Sequence, residues 1–288
     1  MVVSTAPGLA STIYATGMFE TGATFNGGSL TNSGKRDVFL TRISTYNGAI
    51  QLMKTYGGTG SESGWDVASN GTVVFLAGDF DETIAFGGTA PALTTNGQND
   101  VFVAKLDTAG AGLWAVRLGG TGSDRDPRIA LDTAGDLYIA GTFTGQIGIG
   151  GINLISNGPS DMFVAKLRGA DGSIVWATSV SSNGFEGARA IAVDRAGHVA
   201  VVGALNGSFD GTPPLGGLDG FVASFEGATG ALRFRKVYAT TGDDYSLGVA
   251  YGTNGDLYAA AHVGAAFDFG QPVLGPAGGT NVLIRMAP

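Results

Sequence analysis

An acidic residue recurs at one fixed place in the chain, five residues before the central apolar residue of a short repeated segment. The four acids are Glu62, Asp124, Glu186 and Asp244. Carboxylates gathered around one opening could bind a cation or the hydroxyl groups of a sugar, and calcium takes about six to eight oxygen ligands. Alternatively, each acid accepts hydrogen bonds from backbone N–H groups of its own turn. Recurrence in successive units favours this structural role.

The sequence predicts no cofactor, and if calcium binds, its candidate ligands are two pairs of neighbouring acids: Asp124, Asp126, Asp243 and Asp244. The same residues are the candidates for cleavage of a glycosidic bond, which requires two carboxyl groups about 5–10 Å apart. The two histidines lack the spacing of metal ligands, and no serine lies in a nucleophile motif. The sequence therefore predicts no catalytic residue.

Trp65 lies beside the first of the recurring acids and has no counterpart in the other repeats, so it could stack on a sugar ring. Trp114 and Trp176 occupy equivalent positions, which predicts that they fill space between repeats. Trp65, Asp126, Ser224 and His262 depart from the repeat, and such positions are where a binding function is expected.

The elements that position these residues repeat along the chain. The landmark DVFLTRI recurs as DVFVAKL, DMFVAKL, DGFVASF and a degenerate TNVLIRM, at intervals of about sixty residues. Its copies begin at Asp37, Asp100, Asp161, Asp219 and Thr280. Basic residues recur late in the landmark and could pair with the recurring acids: Arg42, Lys105, Lys166 and Arg285.

Each repeat contains four short apolar segments, called a to d in chain order, which are rich in Val, Ile, Phe and Tyr and bounded by Gly, Asn or Asp. Short glycine turns join a to b and c to d, whereas the b–c link is long. Four antiparallel strands per repeat predict an all-β fold, a β-propeller of about five four-stranded blades in a single domain over residues 1–288. A β-helix is the alternative.

The number of strands leaves closure of the ring open. The segment MVVSTA at the N-terminus could be strand a of the first blade or the outermost strand of the last blade. Alternatively, the chain is part of a larger ring. A closed ring predicts a monomer, because closure removes exposed sheet edges.

Composition excludes several classes of partner and site. With a net charge of −8 and a pI near 4.6, the chain lacks the basic surface that nucleic acid requires. There is no cysteine, hence no disulfide or thiolate site. No apolar stretch has the length of a membrane span, and the N-terminus has no signal-peptide pattern.

The segment DVFVAKLDTAGAGLWAVRLGGTGSDRDPRIALDTAGDLYIAGTF (100–143) resembles the bacterial β-propeller repeat family known as SBBP repeats. The resemblance extends over nearly the whole chain and is strongest at 100–143 and 161–203. It implies a propeller, usually in secreted or cell-surface proteins, and implies no enzyme activity. The lack of an export signal and the eroded last repeat depart from that pattern.

The sequence thus predicts a non-catalytic binding or scaffold module that contacts protein or glycan through the face formed by the d–a and b–c links. The alternatives are a carbohydrate-active enzyme, either a glycosidase or a lyase, with carboxylates in the central channel, and a purely structural segment of a larger protein.

Overall fold

The computed structural model describes residues 2–5, 12–25, 28–208, 213–265 and 280–287. These residues form antiparallel strands joined by turns, and no helix occurs among them. The predicted all-β fold is therefore confirmed. Among the same residues, none forms a helix of the length and apolarity that crossing a membrane requires.

The first sheet has the strand order β1-β2-β5-β6, and a two-stranded hairpin of β3 and β4 lies in its b–c link. The strands are β1 (Val2–Thr5), β2 (Thr12–Phe19), β3 (Ala23–Phe25), β4 (Gly28–Leu30), β5 (Asp37–Ser44) and β6 (Ile50–Tyr56). Strand β1 pairs with β2 in the register Val2↔Thr16, so the N-terminal segment is strand a of this sheet. This is one of the two placements that the sequence left open.

The second and third sheets repeat the same antiparallel order, β7-β8-β11-β12 and β13-β14-β17-β18. The strands of the second are β7 (Glu62–Ser69), β8 (Val74–Phe80), β9 (Thr83–Ile84), β10 (Leu93–Thr94), β11 (Asp100–Leu106) and β12 (Gly112–Gly120). Those of the third are β13 (Arg125–Leu131), β14 (Leu137–Phe143), β15 (Gln146–Ile149), β16 (Ile152–Ile155), β17 (Asp161–Leu167) and β18 (Ile174–Val180). The β15–β16 hairpin extends the second sheet by pairing with β12.

The fourth sheet has the order β19-β20-β21-β22, and the described residues of the fifth have the order β23-β24-β25. The strands are β19 (Glu186–Val193), β20 (His198–Leu205), β21 (Asp219–Glu226), β22 (Leu232–Tyr238), β23 (Tyr245–Tyr251), β24 (Leu257–Val263) and β25 (Thr280–Met286). From the second sheet onward, the first strand of each sheet packs against the first strand of the next. Successive sheets therefore pack side by side through their first strands.

Apolar side chains of the middle strands form the core between neighbouring sheets. All seven residues of β8 are buried, and Phe75 and Ala77 on one of its faces pack in the same cluster as Ile139 of β14 in the third sheet. Leu76 and Phe80 on the other face join Leu40 of the first sheet. Apart from Asp79, this strand is composed of apolar residues and glycine, as a strand buried on both faces requires, and each buried Phe or Leu contributes about 1.5–3 kcal/mol.

Glycines in the c–d turns adopt a backbone conformation that other residues rarely take. Gly110 and Gly172 have φ of 80° and 76°. In the first of these turns Asp107 accepts the N–H groups of Ala109 and Ala111 at 2.8 and 2.9 Å. The predicted turn chemistry, an Asp that bonds its own backbone followed by a Gly, is confirmed.

Trp114 and Trp176 lie between sheets, as predicted. The indole of Trp114 packs on Phe75, with ring centroids 5.8 Å apart, and its Nε1 donates to the Gly169 carbonyl of the next sheet at 3.4 Å. Trp176 Nε1 donates likewise to the Gly227 carbonyl at 2.9 Å.

The recurring basic residues do not pair with the recurring acids, because they lie at the other end of the strands. Lys166 Nζ contacts carboxylates of the a–b turn, Asp132 at 3.3 Å and Asp136 at 3.2 Å. Lys105 Nζ donates to the Gly169 carbonyl at 2.7 Å. The acids lie at the start of strand a and the basic residues lie near the end of strand c, so the antiparallel fold separates the two sets.

Candidate functional site

The d–a and b–c links lie together on one side of the molecule, which we call the link face. Isolated parallel bridges join the end of a b–c link to the following d–a link at Arg36↔Ser61, Asn99↔Ser123 and Ser160↔Phe185. The next residue on each side is a carboxylic acid, so the landmark Asp and the link acid stand side by side. At a fourth place the N–H of Asp244 donates to the Leu218 carbonyl at 2.6 Å.

Each of these places, which we call junctions, joins two successive sheets and holds one pair of acids. The pairs are Asp37 with Glu62, Asp100 with Asp124, Asp161 with Glu186, and Asp219 with Asp244. All eight side chains are buried, with at most 1% of their surface exposed.

One oxygen of each acid accepts a backbone N–H from the residue four positions earlier. Asp37 Oδ2 accepts from Ser33 at 2.9 Å, and Glu62 Oε2 accepts from Gly58 at 3.2 Å. The other pairs repeat this pattern, with donors Asn96, Gly120, Asn157, Ser182, Leu215 and Thr240. The carboxyls therefore hold the links in shape, which is the structural role that the sequence allowed.

The other carboxyl oxygen of these acids does not follow the same pattern of hydrogen bonding. Among the described residues, several of them are buried without a hydrogen-bond partner, including Asp37 Oδ1 with Glu62 Oε1 and Asp100 Oδ1 with Asp124 Oδ1. In the first junction a Cβ placed on Gly57 would lie 2.6 Å from Asp37 Oδ1 and 2.8 Å from Glu62 Oε2, so both carboxyls border the same point. Two ionised carboxylates at such separation repel each other, and burial adds a desolvation cost.

Burial, with a smaller contribution from the charge of Asp37, therefore raises the pKa of Glu62 to about 8, although the backbone hydrogen bond from Gly58 opposes the shift. Burial likewise raises the pKa of Asp124 to about 7 and that of Glu186 to about 8. At the second junction Arg117 Nη1 lies 2.7 Å from Asp100 Oδ2 and partly balances the charge. These pairs keep a proton at pH values where an exposed carboxyl is ionised.

A second group of residues lies on the first strands of the second to fifth sheets, β7, β13, β19 and β23. Each of these strands has a β-bulge, and the extra residues at the bulges differ from one repeat to the next. The register shifts between Gly64 and Asp66 in β7, so Trp65 is the extra residue there. In the equivalent register shifts, the extra residues are Asp126 and Pro127 in β13, Arg189 in β19 and Leu247 in β23. Bulges re-aim side chains and often lie next to functional sites.

Hydrogen bonds and a ring contact connect these residues across three sheets. Trp65 Nε1 donates to Asp79 Oδ2, and the Arg128 guanidinium lies 5.2 Å from the centre of the Trp65 ring. Arg128 Nε donates to the Arg189 carbonyl at 3.0 Å. Asp66 Oδ2 accepts the N–H of Ile129 at 2.9 Å. We call Trp65, Asp66, Asp79, Asp126 and Arg128 the inner cluster.

Burial raises the pKa of Asp66 and of Asp79 to about 6, although hydrogen bonds to both carboxylates oppose the shift. Asp126 has φ of 56°, a left-handed conformation that is uncommon for a residue other than glycine. The backbone N–H of Asp126 donates to the Asp79 carboxylate, so Asp126 belongs to the inner cluster. Trp65 and Asp126, both singled out in the sequence, are thus brought together through Asp79, which sequence reasoning missed.

A cleft of about 410 Å³ opens on the link face beside the β15–β16 hairpin. Five side chains able to form hydrogen bonds line it: Asn96, Arg117, Thr121, Gln146 and Asn153. The rest of its lining is glycine, including Gly150 and Gly151 of the hairpin turn, with φ of 59° and 91°. The segment GQIGIGG carries this hairpin, and its glycine content is the signal by which the cleft could have been noticed.

The structure separates the four calcium candidates. Asp124 lies in the second junction and Asp126 in the inner cluster, while Asp244 lies in the fourth junction and the exposed Asp243 accepts the Leu218 N–H at 3.0 Å. Within the described ranges, no three His, Asp or Glu side chains gather as a metal site would require.

The two other positions that depart from the repeat lie elsewhere. Ser224 is buried in β21, where Arg233 Nη1 reaches its Oγ at 3.5 Å. His262 stacks on Tyr245, with ring centroids 4.9 Å apart. Neither residue contacts the lining of the cleft or belongs to a junction.

No protein-family model and no curated protein matches the chain. Among solved structures it is similar to a quinohemoprotein alcohol dehydrogenase from Comamonas testosteroni, at 12% identity and a TM-score of 0.46, covering 97% of this chain and 47% of that one. It is also similar to a family 43 arabinoxylan arabinofuranohydrolase from Bacillus subtilis, at 14% identity and a TM-score of 0.37, covering 91% and 58%. The propeller of Dos1 matches at 8% identity and a TM-score of 0.27, covering 89% and 88%. The chain spans about half the length of the first two structures, and none of these similarities bears on its ligand or activity.

Proposed function

We propose that the chain is a non-catalytic binding module that holds a carbohydrate in the cleft of the link face. The observation that carries this proposal is the lining of the cleft, five hydrogen-bonding side chains set among glycines. Amide groups both donate and accept, as do the hydroxyl groups of a sugar, so Asn96, Gln146 and Asn153 suit a neutral polyhydroxylated ligand. Glycine lets the ligand approach the backbone closely.

The burial of Asp124 and Asp244 supports a binding role over catalysis. Cleavage of a glycosidic bond requires two carboxyl groups that reach the substrate. Asp124 and Asp244 have no exposed surface, and one oxygen of each is held by a backbone N–H of its own link. Their positions suit the support of the link face, on which the cleft lies.

We propose further that the five sheets are the blades of one propeller. The packing of β7 on β13, β13 on β19 and β19 on β23 supports this arrangement. The resemblance to the SBBP repeats of bacterial proteins supports it independently and favours a secreted or cell-surface protein. A low-resolution scattering envelope of the purified chain would test the ring, because an open row of five sheets is longer than a closed one.

A screen of neutral and acidic oligosaccharides by calorimetry tests the binding function. Gln146→Ala and Asn153→Ala alter exposed side chains of the cleft, so both variants should fold. Each lost hydrogen bond is worth about 0.5–1.5 kcal/mol, which predicts roughly two- to tenfold weaker binding. Thr133→Ala, an exposed residue of an a–b turn on the opposite side, is the matched control and should bind as the wild type does.

Two results would contradict the proposal. One is a folded protein that binds no oligosaccharide in the screen. The other is binding that both cleft variants leave unchanged, which would move the ligand to another surface. Release of shorter sugars from the bound oligosaccharide would instead favour the carbohydrate-active enzyme.

A further inference from the structure

Arg117 is the single charged side chain among the described residues that line the cleft. It lies on β12, opposite Phe102 of β11. In the first, third and fourth sheets, the residues opposite the equivalent Phe are uncharged: Thr55, Ser179 and Val237. A cation at this place is therefore not part of the repeat, and it occurs in the sheet beside which the cleft opens.

The acid pairs of the junctions do not explain why an arginine stands here. Arg117 Nη1 donates to Asp100 Oδ2 at 2.7 Å, but no Lys or Arg of the described ranges forms an ion pair with the acids of the other three junctions. Burial raises the pKa of Asp124 to about 7. Below that pH the second junction carries one negative charge, which Arg117 balances, so the base of the cleft has no excess negative charge that would repel an anion.

The ion pair with Asp100 orients the guanidinium of Arg117 and leaves most of its donors for a ligand. A guanidinium has five N–H groups in a planar fork, and Asp100 accepts from Nη1 alone. Among the described residues, none accepts a hydrogen bond from Nε or Nη2, and the side chain is 32% exposed. The edge formed by Nε and Nη2 has the spacing of the two oxygens of a carboxylate.

The hairpin on the other side of the cleft supplies groups that bind hydroxyls. Strand β15 pairs with the end of β12 through Gly148↔Gly119, close in sequence to Arg117. A Cβ placed on Gly148 would lie 3.6 Å from Asn153 Oδ1 and 3.5 Å from the Gly119 carbonyl oxygen, so an amide and a backbone acceptor border the same point. The cleft therefore combines one cation with amide and backbone groups within about 410 Å³.

We propose that the cleft selects an acidic sugar of the uronate type, whose carboxylate binds Arg117 while the amide side chains bind its hydroxyl groups. This inference rests on the proposed carbohydrate function and adds to it the charge of the ligand. The amides account for the hydroxyl groups of a sugar but leave the charge of Arg117 unexplained. A neutral sugar would remove water from the guanidinium without offering a negative partner, whereas a carboxylate replaces that water with charge-assisted hydrogen bonds.

Paired trisaccharides test the selectivity by calorimetry at pH 6. Each pair consists of a neutral trisaccharide and the uronate trisaccharide of the same linkage: cellotriose with triglucuronate, galactotriose with trigalacturonate, and mannotriose with trimannuronate. At least one uronate should bind the wild-type chain roughly ten- to hundredfold more tightly than its neutral counterpart, which is the contribution expected of hydrogen bonds to a charged group.

Arg117→Gln removes the charge and keeps a side-chain donor for Asp100. This variant should bind the two members of a pair with nearly equal affinity, and its affinity for the neutral member should equal that of the wild type. Arg117→Lys keeps the charge beside Asp100 but lacks the planar fork, so it should fold and retain a reduced preference. Arg195→Gln, an exposed residue of an a–b turn on the opposite side, makes the same change of charge and should keep the full preference.

The ratio of the two affinities separates recognition from a structural role. If Arg117 served the junction alone, Arg117→Gln would change the binding of both members equally and leave their ratio as in the wild type. Such a result, or equal binding of both members by the wild-type chain, would overturn this inference and leave the carbohydrate function standing. Absence of binding in every pair by the folded chain would contradict the carbohydrate function itself, and this inference with it.

Discussion

Glu62→Gln tests whether the junction pairs hold a proton in the folded protein. Glu62 is fully buried beside Asp37, and its pKa is raised from an ordinary 4.5 to about 8. A carboxyl with a raised folded-state pKa contributes full stability below about pH 4.5, where both the folded and unfolded forms are protonated. The contribution is lost as the pH rises towards 8, since only the unfolded form ionises freely in that window.

The size of the loss follows from the shift. A change of one pKa unit corresponds to about 1.36 kcal/mol, so the full shift of Glu62 corresponds to at most about 5 kcal/mol between pH 4.5 and 8. Glutamine cannot ionise, and its amide can donate to the unpartnered Asp37 Oδ1. The variant should therefore be more stable than the wild type at pH 8 by a few kcal/mol, with little difference near pH 4.5.

Urea denaturation at half-unit steps from pH 4.5 to 8.5 measures this difference. The wild-type free energy of unfolding should fall with pH more steeply than that of Glu62→Gln, by up to about 1.4 kcal/mol per pH unit. Glu20→Gln, an exposed acid of the first b–c link, is the control and should follow the wild type. If Glu62→Gln has the wild-type slope, the pair does not share a proton and the reasoning fails.

Three further predictions follow from the packing and the clusters. Trp176→Ala should lower the free energy of unfolding by about 3–5 kcal/mol, because the buried indole fills the space between two sheets and donates to the Gly227 carbonyl; a loss below about 1 kcal/mol in denaturant would contradict that role. Trp65→Phe keeps a ring under Arg128 but leaves Asp79 without its indole donor, so stability should fall by about 1–3 kcal/mol, whereas an unchanged melting temperature would mean that the inner cluster is not coupled. Calcium at millimolar concentration, or a chelator, should leave the melting temperature unchanged, since each junction offers two carboxyl groups where calcium takes about six to eight oxygens; a rise with calcium in a thermal shift would restore the metal hypothesis.

Local sequence determined the strands and turns. Apolar runs of seven or eight residues that are rich in β-branched and aromatic residues and bounded by turn residues favour strands, and Gly110 and Gly172 accept the positive φ that their turns require. The equivalence of Trp114 and Trp176 also predicted their place between sheets, because a side chain that recurs once per repeat meets the same surroundings in each. These are properties of a segment and its nearest repeat.

Only the tertiary structure decided what the acids do. Asp37 and Glu62 are separated by a whole hairpin in sequence, and they meet because two links pair beside them at Arg36 and Ser61. The same pairing buries both carboxyls and raises the pKa of Glu62. No spacing in the sequence encodes that contact, since it depends on how one sheet stacks on the next.

The placement of the N-terminal strand and the opening of the cleft were decided in the same way. From the sequence, β1 could have belonged to the first or to the last sheet. Its backbone pairs with β2, which places it in the first sheet. Gln146 and Asn153 face a cleft because their hairpin pairs with the end of β12 in the preceding sheet. The repeat therefore determined each sheet, because its hydrogen bonds and turns are local, whereas the contacts between sheets determined the sites, because they join residues far apart in the chain.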